Sequence, residues 1–229
     1  MSLITTEAIW VIIPAYNEGE VIREVVRGLL SRYRNVVVVD DCSLDETGAA
    51  ALAGGAVVLR HPINLGQGAA LQTGLDYALA QGAEYLVTFD ADGQHRVEDI
   101  KVMLEIQEKT NADVVVGSRF LGGTENLPPL RKHVLKLAVR FTRMTSGLNL
   151  TDAHNGLRLL TRRAATIIKI NQNRMAHASE IMDQIQGKGL SIAEAPVTIV
   201  YTEYSLRKGQ KLSNAFNIVA ELVVARLMK

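Results

Sequence analysis

Short continuous apolar runs rich in β-branched residues recur along the first half of the chain, at Ile9–Ile13, Val36–Val39, Ala56–Leu59, Tyr85–Phe89 and Asp113–Val116. They are too short for helices and lack polar alternation, so they predict strands buried on both faces. Apolar residues between them, such as Val21, Val25 and Leu29 or Leu71, Leu75 and Leu79, recur at helical spacing. Strands alternating with helices require crossover connections, which makes the expected class α/β with a mostly parallel central sheet flanked by helices. A chain of 229 residues, 48% hydrophobic and 21% charged, fits one domain spanning 1–229 better than two small ones.

In such a sheet, ligands bind beyond the carboxyl ends of the strands, near the point where strand order reverses. The polar residues after each strand therefore carry the functional reading. After the fourth run the sequence is Asp90-Ala91-Asp92-Gly93-Gln94-His95. Residues i and i+2 of an extended segment point the same way, so Asp90 and Asp92 are expected to converge. Two carboxylates this close repel unless a cation lies between them, and Mg²⁺ or Mn²⁺ suits a pair that leaves positions open for phosphate oxygens. Gln94 can add a neutral oxygen. A plain turn is the ordinary alternative, since Asp and Gly are turn formers.

Asp41 follows the second strand and can accept hydrogen bonds from a ribose or a base N–H, while Ser43 and Asp45 beside it serve equally well as helix caps. The Asn64–Gly68 loop can turn backbone N–H groups and a helix N-terminus toward an anion, with Gly66 in its middle, or can be a simple turn. Its glycines do not form a dinucleotide-binding fingerprint. A net charge of +1 gives no general attraction to nucleic acid. The single cysteine, Cys42, agrees with a reducing compartment. No basic-then-apolar leader and no apolar run of the ~18–20 residues needed for a span is visible. The expected location is cytoplasmic, with a peripheral place on the inner face of a membrane left open.

Taken in order, "VIIPAYNEGEVI", "VVVVDDCSLDET", "NLGQGAALQTGL", "FDADGQH" and "VVGSRF" resemble the family 2 glycosyltransferases of GT-A fold, and among them the dolichyl- or polyprenyl-phosphate sugar synthases. The resemblance continues through "DAHNGLRLLTRRA" and "VTIVYTEYSLRKGQKLSNAFNIV". It implies a UDP- or GDP-sugar donor held by residues 1–118 and an acceptor held by residues 119–229. It places Pro14, Ala15, Tyr16 and Glu18 around the nucleoside, Asp41 at the base or ribose, and Asp90 facing the donor. Asp92 and Gln94 are implied to help hold the metal, and Arg119 to approach phosphate. The chain departs from many relatives in having no lysine in the Asn64–Gln67 loop, and in having Arg96 where proline is usual.

The second half supplies acceptor-side candidates. Leu130, Val134, Leu137, Phe141, Met144 and Leu148 form one helical stripe on a segment that also carries Arg131, Lys132, Lys136, Arg140 and Arg143. Such a basic amphipathic helix, 130–148, can lie on an anionic membrane or simply pack on a core. Asp152 and then Glu180 are the candidate general bases, and Asn155 and Arg158 the candidate acceptor-binding residues, near His154. The resemblance makes 203–211 a lid whose Arg207, Lys208 and Lys211 clamp phosphate. The apolar end of the chain carries Asn214, Asn217, Glu221 and Arg226 and is not expected to span a bilayer; because many relatives append transmembrane helices at this point, the resemblance implies a separate membrane subunit as a partner. The expected reaction is metal-dependent inverting transfer of one sugar to a polyprenyl phosphate. The alternatives are a saccharide hydroxyl acceptor, a sugar nucleotidyltransferase and a non-catalytic binding subunit.

Overall fold

The computed structural model describes residues 5–126, 150–152, 155–174 and 176–208. The expected interfacial helix 130–148, His154, Lys211 and the apolar end of the chain lie outside the described residues. After a single turn at Thr6–Ala8, the elements are β1 (Ile9–Ala15), α1 (Ile22–Leu30), β2 (Asn35–Asp40), α2 (Thr47–Gly54), β3 (Val57–Arg60), α3 (Gln67–Ala80), β4 (Tyr85–Thr88), α4 (Val97–Thr110), β5 (Val114–Glu125), β6 (Arg158–Thr161), α5 (Arg162–Ile167), α6 (His177–Gly187), β7 (Ile192–Val200) and α7 (Glu203–Lys208). The strands form one seven-stranded sheet in the order β3-β2-β1-β4-β6-β5-β7. Every neighbouring pair is parallel except those involving β6, which runs against both β4 and β5.

The continuous apolar runs are continuous because the sheet is covered twice. On β1, Val11 and Ile13 join one apolar layer while Ile12 joins the other. The same division separates Val36 and Val38 from Val37, Val87 from Leu86, and Val115 from Val114 and Val116, as the two-residue period of a strand requires. The helix α3 lies so close to β1 that a Cβ on Gly74 would sit 2.3 Å from Ile12 Cγ2.

Two expectations are corrected in detail. The buried stripe of α1 is Ile22, Val26 and Leu29 rather than Val21, Val25 and Leu29, because Val21 is the residue that caps the helix. The fifth strand continues to Glu125, with an irregularity between Ser118 and Gly123 where its pairing with β7 shifts register.

The chain order reverses at β1, which pairs with β2 on one side and β4 on the other. The loops that leave the carboxyl ends of β1, β2 and β4 therefore meet, and they carry Tyr16 to Glu20, Asp41 to Asp45 and Asp90 to His95.

Candidate active site

The acids at the exit of β4 are held by groups from distant parts of the chain. The Thr88 hydroxyl donates to the Gly156 carbonyl at 2.6 Å, which fastens the 155–157 segment against the strand end. Gly156 is so near Asp90 that an added Cβ would lie 2.2 Å from its Oδ2. His95 Nε2 is 2.9 Å from the same oxygen. Gln67, the first residue of α3, donates from Nε2 to Oδ1 at a longer 3.4 Å. Burial pushes the Asp90 carboxyl upward, but the His95 hydrogen bond and the nearby positive charge of Arg158 outweigh it and hold Asp90 below the usual carboxylate range.

Asp92 behaves in the opposite way. Burial, the charge of Asp90 and that of Glu18 push its carboxyl up to about 6, against the neighbouring His95 and the Gln94 backbone N–H. Gln94 donates to Asp92 twice, from its backbone N–H at 3.1 Å and from its side-chain amide at 2.7 Å. The two aspartates and Glu18 thus share one field at the strand exits. Among the described residues no cluster of three or more acidic, histidine or cysteine side chains is arranged to hold a metal. The acid pair fits the way Mg²⁺ or Mn²⁺ is ordinarily held, by one or two carboxylates with the remaining positions left to substrate phosphates and water.

The floor of this region is buried and polar. Arg158 on β6 and Asn155 are almost fully buried, and among the described residues Arg158 Nε and Asn155 Nδ2 have no hydrogen-bond partner. The expected acceptor-binding pair therefore lies within the protein, with Arg158 close enough to Asp90 and Asp152 to feel both charges. His177 donates from Nδ1 to the Arg174 carbonyl at 2.7 Å. Burial and Arg158 push its imidazole down to about 4.

Asp152 is buried in an ion pair with Arg119, whose Nε donates to Oδ2 at 2.6 Å and whose backbone N–H donates to the same oxygen at 3.1 Å. The Arg119 guanidinium also donates to the Tyr201 hydroxyl at 3.1 Å. Glu180, the second candidate base, accepts from the backbone N–H groups of Asn171 and Gln172 at 3.0 and 2.9 Å. Its described hydrogen bonds brace the 171–172 loop and do not reach the acid pair.

Pro14 and Ala15 are buried at the end of β1, whereas Tyr16 is 43% exposed beside them. The Asp41 carboxylate is engaged within the chain. It accepts from His61 Nδ1 at 2.7 Å, Leu65 N–H at 2.9 Å and Gly66 N–H at 2.7 Å. The Gly68 N–H donates to the Asn173 carbonyl at 2.8 Å. The loop amides read as an anion cradle thus have partners, and Gly66, at φ 105°, is glycine because a Cβ there would stand 2.3 Å from the Asn173 carbonyl oxygen. Ser43 and Asp45 tie two loops together by accepting the Asn17 and Gly19 N–H groups at 2.9 and 3.0 Å.

The short helix α7 lies over the β1–α1 loop. The Tyr204 hydroxyl donates to Glu18 Oε2 at 2.7 Å, Lys208 Nζ is 2.8 Å from Glu18 Oε1, and Arg207 pairs with Glu20 at 3.1 Å. Lys208 also donates to the Tyr16 and Asn17 carbonyls. Of the lid candidates, Arg207 and Lys208 are brought to the β1–α1 loop, where they meet its acids. Sequence reasoning assigned no role to His95, Gly156 or Tyr204. His95 stood in the stretch already singled out; the other two are revealed only by contacts across the fold.

The model for the family described as glycosyl transferase family 2 matches residues 10–168. The UDP-N-acetylglucosamine–dolichyl-phosphate N-acetylglucosaminyltransferase of Methanococcus voltae is 33% identical over 96% of this chain and 97% of its own length. The polyprenol monophosphomannose synthase of Mycolicibacterium smegmatis is 32% identical over 94% of this chain and 87% of its own. Among solved structures, glucosyl-3-phosphoglycerate synthase from Mycobacterium tuberculosis, crystallised with Mn²⁺ and UDP-glucose, superposes with a TM-score of 0.71 over 94% of this chain and 78% of its own, at 19% identity. The architecture is accordingly the GT-A fold, and the chain belongs to glycosyl transferase family 2 as a glycosyltransferase.

Proposed function

We propose that the chain moves one sugar, with inversion, from a UDP- or GDP-sugar to a polyprenyl phosphate, with Asp90, Asp92 and the Gln94 amide holding Mg²⁺ or Mn²⁺ at the donor diphosphate. The observation that carries the reading is the acid pair itself. Burial first, and then the charges of Asp90 and Glu18, raise the Asp92 carboxyl at this strand exit, and a divalent cation relieves the part that is repulsion. When bound, that cation neutralises charge developing on the departing diphosphate. Tyr16 and Glu18 line the nucleoside side, and Arg207 and Lys208 are near enough to exchange their present acid partners for phosphate oxygens.

The state of the candidate bases favours a phosphate acceptor over a hydroxyl. A hydroxyl must lose a proton to a positioned base, whereas a lipid phosphate arrives ionised. Asp152 is committed to Arg119 and Glu180 to the 171–172 loop, so neither carboxylate stands ready. The two relatives aligned over nearly their whole lengths are named for dolichyl-phosphate and polyprenol-phosphate transfer, which supports the same acceptor. No described helix is long and apolar enough to cross a membrane. Access to a lipid is assigned to surface contact on the cytoplasmic face, aided by a separate membrane subunit.

The test pairs UDP- and GDP-sugars with a polyprenyl phosphate in the presence of Mn²⁺, Mg²⁺ or a chelator, with thermal unfolding as a parallel measure of donor binding. A ligand at a hundredfold excess over Kd adds roughly 2.7 kcal/mol of stability. Metal-dependent transfer to the lipid phosphate, retained in Asp152→Asn and Glu180→Gln, is expected. Transfer only to a saccharide hydroxyl, lost in either variant, overturns the acceptor. Absence of metal-dependent nucleotide binding overturns the enzyme reading of the acid pair.

A further inference from the structure

His95 closes the stretch from which the acid pair was read, yet neither the pair nor the lid uses it. Its side chain is only 3% exposed, whereas that of Asp90, which it touches, is 32% exposed. The ring is held from several directions. It meets Phe89 edge to face, with centroids 5.3 Å apart. Its backbone bridges to Ile199, and the carbonyl of Gln94 beside it accepts from Val200 N–H at 2.9 Å. These backbone bonds fix where the side chain leaves the main chain, and Phe89 packs against the ring itself.

The two ring nitrogens have unequal surroundings. Nε2 is 2.9 Å from Asp90 Oδ2, and Nδ1 is buried without a partner. A buried N–H left without an acceptor is rarer and costlier than a lone pair left without a donor. In a histidine, the bond made at one nitrogen selects the tautomer at the other. The proton therefore belongs on Nε2, where it is donated to Asp90.

We propose that His95 is a positioning residue for donor binding, whose Nε2–H ties back Oδ2 of Asp90 and leaves Oδ1 turned toward the cation and the diphosphate. Among the described hydrogen bonds to Asp90, Oδ1 has only the 3.4 Å approach of Gln67, and Gly156 packs so close to the carboxylate that a Cβ there would stand 2.2 Å from Oδ2 and 2.4 Å from Oδ1. Asp90 thus reaches the donor in one fixed orientation. Outer partners of metal-binding carboxylates commonly govern metal affinity by about 10–100-fold. The inference rests on the reading of Asp90 and Asp92 as the metal and donor site.

The experiment compares wild type, Asp90→Asn, His95→Gln, His95→Asn and His95→Phe in the full chain. Calorimetry with Mn²⁺ plus UDP, and separately Mn²⁺ plus GDP, is read beside the Mn²⁺ dependence of transfer. His95→Phe and His95→Asn should weaken Mn²⁺-dependent nucleotide binding about 10–100-fold. His95→Gln, whose amide nitrogen reaches the place of Nε2, should restore most of it. Wild-type binding in His95→Phe and His95→Asn while Asp90→Asn loses it overturns the inference and leaves the site reading standing, as does a glutamine no better than phenylalanine. Undiminished binding in Asp90→Asn overturns both. Long-range ¹H–¹⁵N spectra of the wild type decide the matter where a variant does not fold. A proton on Nε2 with bare Nδ1 is expected, and the reverse tautomer refutes the proposal.

Discussion

Gly156→Ala is the substitution for which the structure gives the sharpest expectation. The added methyl would stand 2.2, 2.4 and 2.5 Å from Oδ2, Oδ1 and Cγ of Asp90, where ordinary contact begins at 3.4 Å. One partner must therefore move by about 1 Å, a displacement that can lower turnover by about 100-fold when it affects a group at the reacting centre. Neither partner yields easily, because Thr88 holds the Gly156 carbonyl at 2.6 Å and His95 holds the Asp90 carboxylate. Gly156 is not among the residues with positive φ, so alanine brings no backbone strain and the effect is confined to the contact. Crowding of this kind costs about 1–3 kcal/mol of stability, with each kcal/mol worth roughly 2–4 °C in Tm for a chain of this size. Gly187, near the end of α6, is the control, since its Cβ would meet nothing within 4 Å; alanine there is expected to be neutral or to gain about 0.4–1 kcal/mol. The assay is kcat/KM for the nucleotide sugar beside thermal unfolding of both variants. A Gly156→Ala enzyme with wild-type kcat/KM refutes the claim that Asp90 is pinned against this backbone.

Asp41→Asn removes a buried carboxylate that accepts three bonds from the His61–Gly66 segment, so denaturant unfolding should show a loss of about 2–3 kcal/mol; unchanged stability with weaker nucleotide binding would place Asp41 on the ligand instead. For Asp113, burial pushes upward but Arg163 and the Ser191 N–H and hydroxyl outweigh it, so its folded pKa lies below the usual carboxylate value. Its contribution is complete above the ordinary carboxylate range and fades as pH falls through the lowered folded value. The stability difference between wild type and Asp113→Asn, about 1–2 kcal/mol at neutral pH, should therefore close on acidification, and a gap that widens in acid contradicts the assignment. Tyr204→Phe deletes the 2.7 Å bond to Glu18 and should loosen α7 by about 1 kcal/mol, seen as faster amide exchange over 203–208; unaltered exchange shows that the bond does not hold the helix.

The sheet was legible where burial on both faces left a continuous apolar run, since those residues have few other ways to hide from water. β6 was not legible. Its residues Arg158 to Thr161 offer two leucines between a cation and a helix cap, and their insertion against β4 and β5 depends on a crossover that no local period encodes. The α1 stripe was misplaced by one residue for a related reason. Val21 satisfies helical spacing as well as Ile22 does, and only the position of the cap separates them.

Side-chain roles divide along the same line. The acid pair could be read because Asp90 and Asp92 are neighbours in the sequence, in the turn that leaves β4. What each acid does could not be, because its partners come from elsewhere. Asp152 meets Arg119, 33 residues earlier in the chain, and Glu18 meets Tyr204, 186 residues later. Asp90 and Asp92 show the consequence most directly. They leave the same strand two residues apart, yet one carboxyl is held below its ordinary range and the other is raised to about 6. Their nearness makes them repel. Burial raises Asp92 first and the charge of Asp90 adds to it, while His95 and Arg158 hold Asp90 down, so the difference is set by residues beyond the acid pair. Separating acids in this way is the usual means by which two identical groups take different tasks. In the proposed reaction Asp90 is the ionised, oriented member of the pair, and Asp92 the member whose charge a cation would favour.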